Sequence, residues 1–344
     1  MPHGTEPTDR TSPRPRCRSL MGIKVVGVGS YVPDLVVTND QLHAQFGFDS
    51  DWIVKRTGIY ERRHAQPEQA TSDLAAVAIQ RCIANAGIDA RDIDLLLCGT
   101  FTPDCSFPST ACMLQDRFKL TCPAVDLQAA CAGFMYAYIT AATYVLSGAS
   151  DMALVVGADC NSRILNPNDI KTYPLFGDGA GAFLMTRGNA NQGILSYSMG
   201  SDGHGADQLI RRACGSRLPP TPELLTQGQH YMYMDGRAVF RWAVAILCDT
   251  IQDVLKAQHL TPGDVDLYVP HQANIRIINA ACDVLHIPRN KVFTNLDRYG
   301  NTSAGSIPLA IDEALATGRL KDGDLAVLSG FGAGLTWGTA LVRW

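Results

Sequence analysis

Paired cysteine spacing, charge of one sign and long apolar runs are all scarce in this chain of 344 residues. Its eleven cysteines form no C-x-x-C pair and no His/Cys cluster at ligand spacing, so no metal site is expected. An odd count scattered mostly through apolar segments fits thiols kept reduced, and the chain is expected to be cytoplasmic. Cys98, Cys160, Cys248 and Cys282 read as core filling. Lys+Arg of 29 against Asp+Glu of 33 gives a net charge of −4, which points to neither nucleic acid nor a membrane as partner. The longest apolar runs read as far short of the length that crosses a bilayer. Met1 to Leu20 lacks the apolar core of a secretory signal, and Glu6 and Asp9 argue against a transit peptide. Rich in Pro, Thr and Arg, residues 1–20 read as a disordered extension, with Met21 as the expected native start.

What is present is ample apolar material, 46% of residues against 18% charged, enough for two domains or one large duplicated one. The stretch Asp126-Leu-Gln-Ala-Ala-Cys131-Ala-Gly-Phe134 organises the first half. Cys122 to Leu127 is short, apolar and preceded by a break, which predicts a buried strand. Ala132 to Leu146 is Ala-rich with spaced aromatics and is followed by Gly148, which predicts a buried helix. Cys131 then falls on a strand-to-helix turn. Unpaired N–H groups and the helix dipole favour an anion there, so a thiolate is expected to form more readily than at an ordinary thiol. A cysteine without such a position is a buried filler.

The second half repeats landmarks of the first in order. Gly263-Asp-Val-Asp-Leu-Tyr-Val269 echoes Arg91-Asp-Ile-Asp-Leu-Leu-Leu97, and Asp324-Leu-Ala-Val-Leu-Ser-Gly330 echoes Asp151-Met-Ala-Leu-Val-Val-Gly157. The strand at Trp337–Arg343 echoes the one after Gly181. An internally duplicated α/β chain is expected, with halves at 21–190 and 191–344. Ligands of open α/β sheets bind beyond the carboxyl ends of strands, so both halves should contribute to one crevice. Cys131 lies at such an end. The second half offers His271 after a strand and a Pro, and Asn301 in a Gly-flanked turn at the position echoing Cys131. Taken singly, His271 reads equally as a structural group and Asn301 as a turn or cap residue. Phe331-Gly-Ala-Gly334 reads either as a flexible turn or as backbone aimed at an oxyanion.

Together, Ala130-Cys131-Ala-Gly-Phe134, Pro270-His271-Gln-Ala-Asn-Ile-Arg276, Gly300-Asn301-Thr-Ser303 and Gly330-Phe-Gly-Ala-Gly-Leu-Thr-Trp-Gly338 resemble β-ketoacyl-[acyl-carrier-protein] synthase III. The resemblance runs from about Ile23 to Trp344. It implies a thiolase-like fold, two duplicated halves in a five-layered αβαβα sandwich, acting as a homodimer in the cytoplasm. It further implies a decarboxylative Claisen condensation that initiates fatty acid synthesis, with acyl-CoA and malonyl-[acyl-carrier protein] as substrates and no cofactor. Cys131 would carry the acyl group, and His271 and Asn301 would hydrogen-bond the enolate oxygen. The N–H groups of Cys131 and Ala333 would form an oxyanion hole, and Phe331 an apolar wall that disfavours the malonyl carboxylate. Trp52 and Arg56 match positions holding the CoA adenine and phosphates, Gly236 and Asn274 the pantetheine arm, and Gln272, Arg276 and Arg241 the face that docks the acidic carrier protein.

The chain departs from the family pattern at Ile170 and Lys171, where an adenine-stacking Arg is expected, at Asp283 and Val284 in the docking face, and at Ala333, which replaces a Gly. The loop from His204 to Met234 is enlarged. Two other readings fit the same residues: a related acyltransferase or condensing enzyme of secondary metabolism, and an inactive homologue that binds acyl chains or carrier protein. The second would be expected to lack one of Cys131, His271 and Asn301, and all three are present.

Overall fold

A strand such as Leu95-Leu-Leu-Cys-Gly99 has no polar face to show to water, so it must lie between two layers. In the computed structural model, which describes residues 17–344, all five of its residues are buried. The first half comprises β1 (Arg18–Met21), β2 (Ile23–Tyr31), β3 (Leu35–Thr38), α1 (Asn39–Phe46), α2 (Ser50–Thr57), β4 (Glu61–His64), α3 (Thr71–Ala86), β5 (Leu95–Gly99), α4 (Thr110–Arg117), β6 (Ala124–Leu127), α5 (Gly133–Ser147), β7 (Met152–Asp159) and β8 (Gly179–Arg187). The second comprises β9 (Gly193–Ser201), β10 (Leu209–Arg211), α6 (Pro222–Thr226), β11 (Met232–Met234), α7 (Gly236–Lys256), β12 (Leu267–Pro270), α8 (Ile275–Leu285), α9 (Leu296–Tyr299), α10 (Ser306–Ala316), β13 (Leu325–Gly332) and β14 (Thr336–Arg343).

Two five-stranded sheets carry the fold, in the orders β2-β8-β7-β5-β6 and β1-β9-β14-β13-β12. Helix α3 covers the outer face of the first sheet, and α7 packs on the outer face of the second with α8 against it. Helices α5 and α10 lie between the sheets and touch both. The result is five layers, α, β, α, β, α, the thiolase fold. In each sheet three strands run antiparallel and then parallel in the same sense, so β7 and β13 occupy matching places, as do β5 and β12. The strand equivalent to β6 is reduced in the second half to a single bridge between Val292 and Tyr268. At the opposite edge of the same sheet, β1 adds a fifth strand by pairing with β9.

That pairing corrects the reading of residues 1–20 as a disordered extension: Arg18–Leu20 are strand, with Leu20 opposite Ile194. Residues 1–16, and with them the rest of that expectation, lie outside the described residues. A second correction concerns apolar length. The 18-residue window Ala130–Ser147 is long and apolar enough to cross a membrane by composition, but 67% of it is buried inside the protein, as the central helix between two sheets. Its core neighbours include Phe183, whose ring meets Phe134 edge-on at 4.9 Å. Close approach of the layers needs small residues. A Cβ on Gly157 of β7 would overlap the carbonyl of Ala304, so glycine there lets the Asn301–Gly305 loop rest against the first-half sheet.

Candidate active site

Cys131 stands where sequence places it, just beyond β6 at the entrance to α5. Ala130 takes a positive φ of 45°, and Ala130–Ala132 form one 3₁₀ turn that runs into the helix. The side chain is 5% exposed. Gly332 presses against it from β13: a Cβ there would fall 2.7 Å from Cys131 N and 2.9 Å from Cys131 Cβ. The Ser303 hydroxyl donates to Sγ at 3.3 Å. Burial pushes the thiol up to about 12, and the Asp159 carboxylate adds to that, while the Ser303 hydroxyl and the residue's own N–H oppose it. The readier thiolate expected of a helix N-terminus is therefore not what the site provides unaided. Loss of water outweighs the local dipoles.

His271 follows β12 and is 1% exposed. Its N–H donates to the Ser329 carbonyl at 2.7 Å, its Nδ1 lies 2.7 Å from Ser306 Oγ, and its ring meets the edge of Phe331 at 5.3 Å. Burial lowers its pKa to about 3, so the imidazole is neutral at physiological pH. A Ser306 hydroxyl that donates to Nδ1 puts the ring proton on Nε2.

Asn301 is locked through its backbone, donating to Leu175 O at 2.8 Å and accepting from Gly177 N at 3.0 Å. Its Oδ1 accepts from the Ser303 N–H at 2.8 Å, which commits the oxygen and leaves the Nδ2 amide as the side chain's donor. Cys131, His271 and Asn301, from three separate segments, line one cavity of about 90 Å³, together with Phe331 and Gly332. A second recess of about 70 Å³ also reaches Cys131 and is lined by Ala333, Phe101, Ile164, Phe176 and Met232. Ala333 is not among the described non-glycine residues with positive φ, so its methyl group in place of a Gly brings no backbone strain.

The inner cavity shares Gly236, Phe240 and Asn274 with an open cleft of about 1120 Å³. Trp52, Arg56, Arg241 and Arg276 line that cleft, as do Ile170 and Lys171. Trp52 is 37% exposed rather than packed beneath a helix, and the Arg56 guanidinium lies 6.0 Å from its ring. Asn274 caps α8 by accepting from Arg276 N at 2.9 Å and donates to Arg56 O at 3.1 Å, so its amide also ties α2 to α8. Asp283 is paired with Arg289 at 2.6 Å, and Val284 is exposed.

Gln272 is a correction. It is 1% exposed, donates to the carbonyls of Pro270 and Phe293 and accepts from Asn295 N, so it holds the loop behind His271 instead of facing a carrier protein. Sequence reasoning missed Ser303, Ser306 and Asp159 at the centre and Arg212 and Arg237 on the cleft wall. Ser303 and Ser306 were legible only as neighbours of Asn301, and nothing in sequence brings Asp159 near Cys131.

Comparison with known proteins gives this geometry its context. The family model described as 3-oxoacyl-[acyl-carrier-protein (ACP)] synthase III matches residues 125–203, and that of its C-terminal part matches residues 255–344. The chain is 50% identical to β-ketoacyl-[acyl-carrier-protein] synthase III of Rhodopirellula baltica, over 95% of this chain and 99% of that one. Among solved structures it is similar to the synthase III of Thermus thermophilus, at 41% identity and a TM-score of 0.87, covering 93% and 98% of the two chains. The synthase III of Aquifex aeolicus VF5 is 39% identical with a TM-score of 0.87, covering 94% and 100%. Near-full-length identity at that level, with Cys131, His271 and Asn301 around one cavity, makes this chain a member of the β-ketoacyl-[acyl-carrier-protein] synthase III family.

Proposed function

We propose that the chain condenses an acyl-CoA primer with malonyl-[acyl-carrier protein] through an acyl-Cys131 intermediate, giving 3-oxoacyl-carrier protein, CoA and CO2. As a family member it is a condensing acyltransferase of fatty acid synthesis that works with acyl-CoA and carrier protein. The observation that carries the residue roles is the single buried cavity into which Cys131, His271 and Asn301 all face.

The sulfur of Cys131 attacks the thioester carbon, and the Cys131 and Ala333 N–H groups receive the developing oxyanion. The acyl chain enters the recess beside Cys131, whose small volume and apolar lining suit a short primer. The malonyl group then takes the inner cavity. An imidazole held near 3 is no base at neutral pH, but it is a good neutral donor. Nε2–H of His271 and Nδ2–H of Asn301 then supply two hydrogen bonds to the carbonyl that becomes the enolate. Phe331, 4% exposed and set against His271, makes the cavity apolar on the side where the carboxylate must sit. That favours loss of a charge-localised carboxylate as CO2 over keeping it. The carbanion attacks the acyl-Cys, releasing Cys131.

Trp52, Arg56 and Lys171 suit the flat base and phosphates of CoA at the cleft, with Gly236 and Asn274 along the arm. Arg241 and Arg276 are exposed at the same cleft and suit an acidic carrier protein. A homodimer and a cytoplasmic location complete the reading. Phe107, 86% exposed, and Val125, 46% exposed on the unpaired edge of β6, support a second copy packing there.

The test is mass spectrometry of the protein incubated with a panel of acyl-CoAs, then with malonyl-carrier protein. Wild type should gain an acyl mass on the Cys131 peptide and lose it on condensation, and Cys131→Ser should gain none. Asn301→Ala should be acylated but should condense at least about a hundredfold more slowly, as expected of a lost oxyanion donor. Normal condensation by Asn301→Ala would overturn the enolate assignment.

A further inference from the structure

Arg212 and Tyr233 stand on the wall of the open cleft, and the reaction described above gives neither of them a task. Both belong to the enlarged loop, Arg212 directly after β10 and Tyr233 at the centre of β11. The Arg212 guanidinium lies 5.6 Å from the centroid of the Tyr233 ring. On either side of Tyr233, Met232 and Met234 line the two small cavities that reach Cys131. Alternation along the strand therefore puts Tyr233 on the other face, where it is 50% exposed. The same combination occurs on α2, where the exposed Trp52 has the Arg56 guanidinium 6.0 Å from its ring. One cleft thus carries two pairs of a flat ring and a guanidinium.

Segment 164–175 lies between the two pairs. Ile164 and Leu165 pack with Met232 and Leu209 of the ribbon, Ile170 packs with Ile53 of α2, and Tyr173 touches both groups. That segment carries Ile170 and Lys171, at the place where the family pattern expects an Arg stacked on adenine. Ile170 is committed to packing, and Lys171 is an exposed point charge with no flat surface. A base resting on Trp52 would therefore have one face without a partner from this segment. The ribbon side of the cleft supplies a flat ring in Tyr233 and a planar cation in Arg212. Arg212 also pairs with Asp207 at 3.3 Å, but both side chains are exposed. Such a pair is worth little in water, so a phosphate can displace Asp207.

We propose that Tyr233 and Arg212 bind the nucleotide end of acyl-CoA, the ring covering the adenine face opposite Trp52 and the guanidinium taking the 3′-phosphate. The proposal rests on the cleft being the acyl-CoA site. The 3′-phosphate sits on the ribose beside the base, so its cation belongs next to the ring on which the base stacks. The pyrophosphate lies between the ribose and the arm, and Arg56 and Lys171 remain for it. Stacking on a ring needs only a flat apolar face, and a guanidinium fork matches two phosphate oxygens. The enlarged loop thus supplies, from a different element, the contact that Ile170 and Lys171 do not.

Steady-state kinetics with one acyl group on three carriers tests this. The carriers are CoA, dephospho-CoA, which lacks the 3′-phosphate, and pantetheine, which lacks the whole nucleotide. Arg212→Ala should raise KM for acyl-CoA about tenfold or more, with kcat and the other two substrates little changed. Tyr233→Ala should raise KM about fivefold or more for acyl-CoA and acyl-dephospho-CoA, and leave acyl-pantetheine unchanged. Tyr233→Phe keeps the ring and should match wild type. Acyl-pantetheine is the internal control, because a ribbon that has lost its shape would impair all three substrates. Equal rises for all three, or no rise for any, would overturn the proposal. A rise confined to malonyl-carrier protein would also overturn it and make Arg212 a docking residue. Equal KM values of wild type for acyl-CoA and acyl-pantetheine would sink the acyl-CoA reading of the cleft itself, a failure visible without any variant.

Discussion

Replacing Gly332 by alanine isolates the nucleophile's placement from its chemistry. The added Cβ would lie 2.7 Å from Cys131 N, 2.9 Å from its Cβ and 3.2 Å from its Cα. Real Cβ contacts do not come that close, and two of the three atoms are backbone, so no rotamer change relieves the overlap. Either β13 or the Cys131 turn must shift by several tenths of an ångström. Overpacking of this kind costs about 1–3 kcal/mol. For a chain of this size that is a fall in Tm of a few degrees, since about 1 kcal/mol moves a domain of 150–250 residues by roughly 2–4 °C. The kinetic cost is larger in proportion. A misplacement approaching 1 Å near the reacting atoms is worth about a hundredfold, so acylation of Cys131 should slow by ten- to a hundredfold while the fold survives. The assay is rapid-quench mass spectrometry of acyl-enzyme formation alongside thermal unfolding. Gly215→Ala serves as control, because nothing lies within 4 Å of a Cβ there. Acylation by Gly332→Ala at the wild-type rate would refute the argument that the Gly332 backbone sets the position of Cys131.

Two further outcomes follow from the site. The unfolded His271 imidazole takes a proton near 6.5, while the buried one refuses it down to about 3. Its effect on stability is therefore nil above about pH 6.5 and grows increasingly destabilising as pH falls toward 3. His271→Gln should flatten that part of the acid limb when denaturant midpoints are measured from pH 7 to 4, and an unchanged difference between the two proteins across that range would contradict the neutral, buried ring. Arg56→Ala removes a cation from the cleft wall, so KM for acyl-CoA should rise about tenfold or more with kcat little changed. A loss confined to kcat would place Arg56 elsewhere in the reaction.

Much of the fold was legible because its signals are local. Leu95–Gly99 and Leu325–Gly332 are apolar at consecutive positions, which only a doubly covered strand tolerates, and their flanking acidic and glycine residues repeat between the halves. The helix Gly133–Ser147 ends at Gly148 in the left-handed conformation, as its sequence announces. Strand β1 was not legible, because Arg18–Met21 has no apolar alternation and is strand only through its pairing with β9. Gln272 looked like a polar surface residue beside His271. It is buried because three backbone groups, remote or adjacent, satisfy its amide.

Sequence alone determined the secondary structure of the layers, the duplicated order and the identity of Cys131, His271 and Asn301 as the residues worth watching. Each rests on residues adjacent in the chain, where periodicity, caps and turn chemistry act. Tertiary structure alone decided how Cys131 is held. Residues 131, 159, 303 and 332 belong to four segments whose meeting depends on how two sheets pack across α5 and α10. Burial is likewise a property of the packed whole, and it reverses the expectation for the thiol: a helix entrance favours the anion, but the dry pocket around it favours the proton.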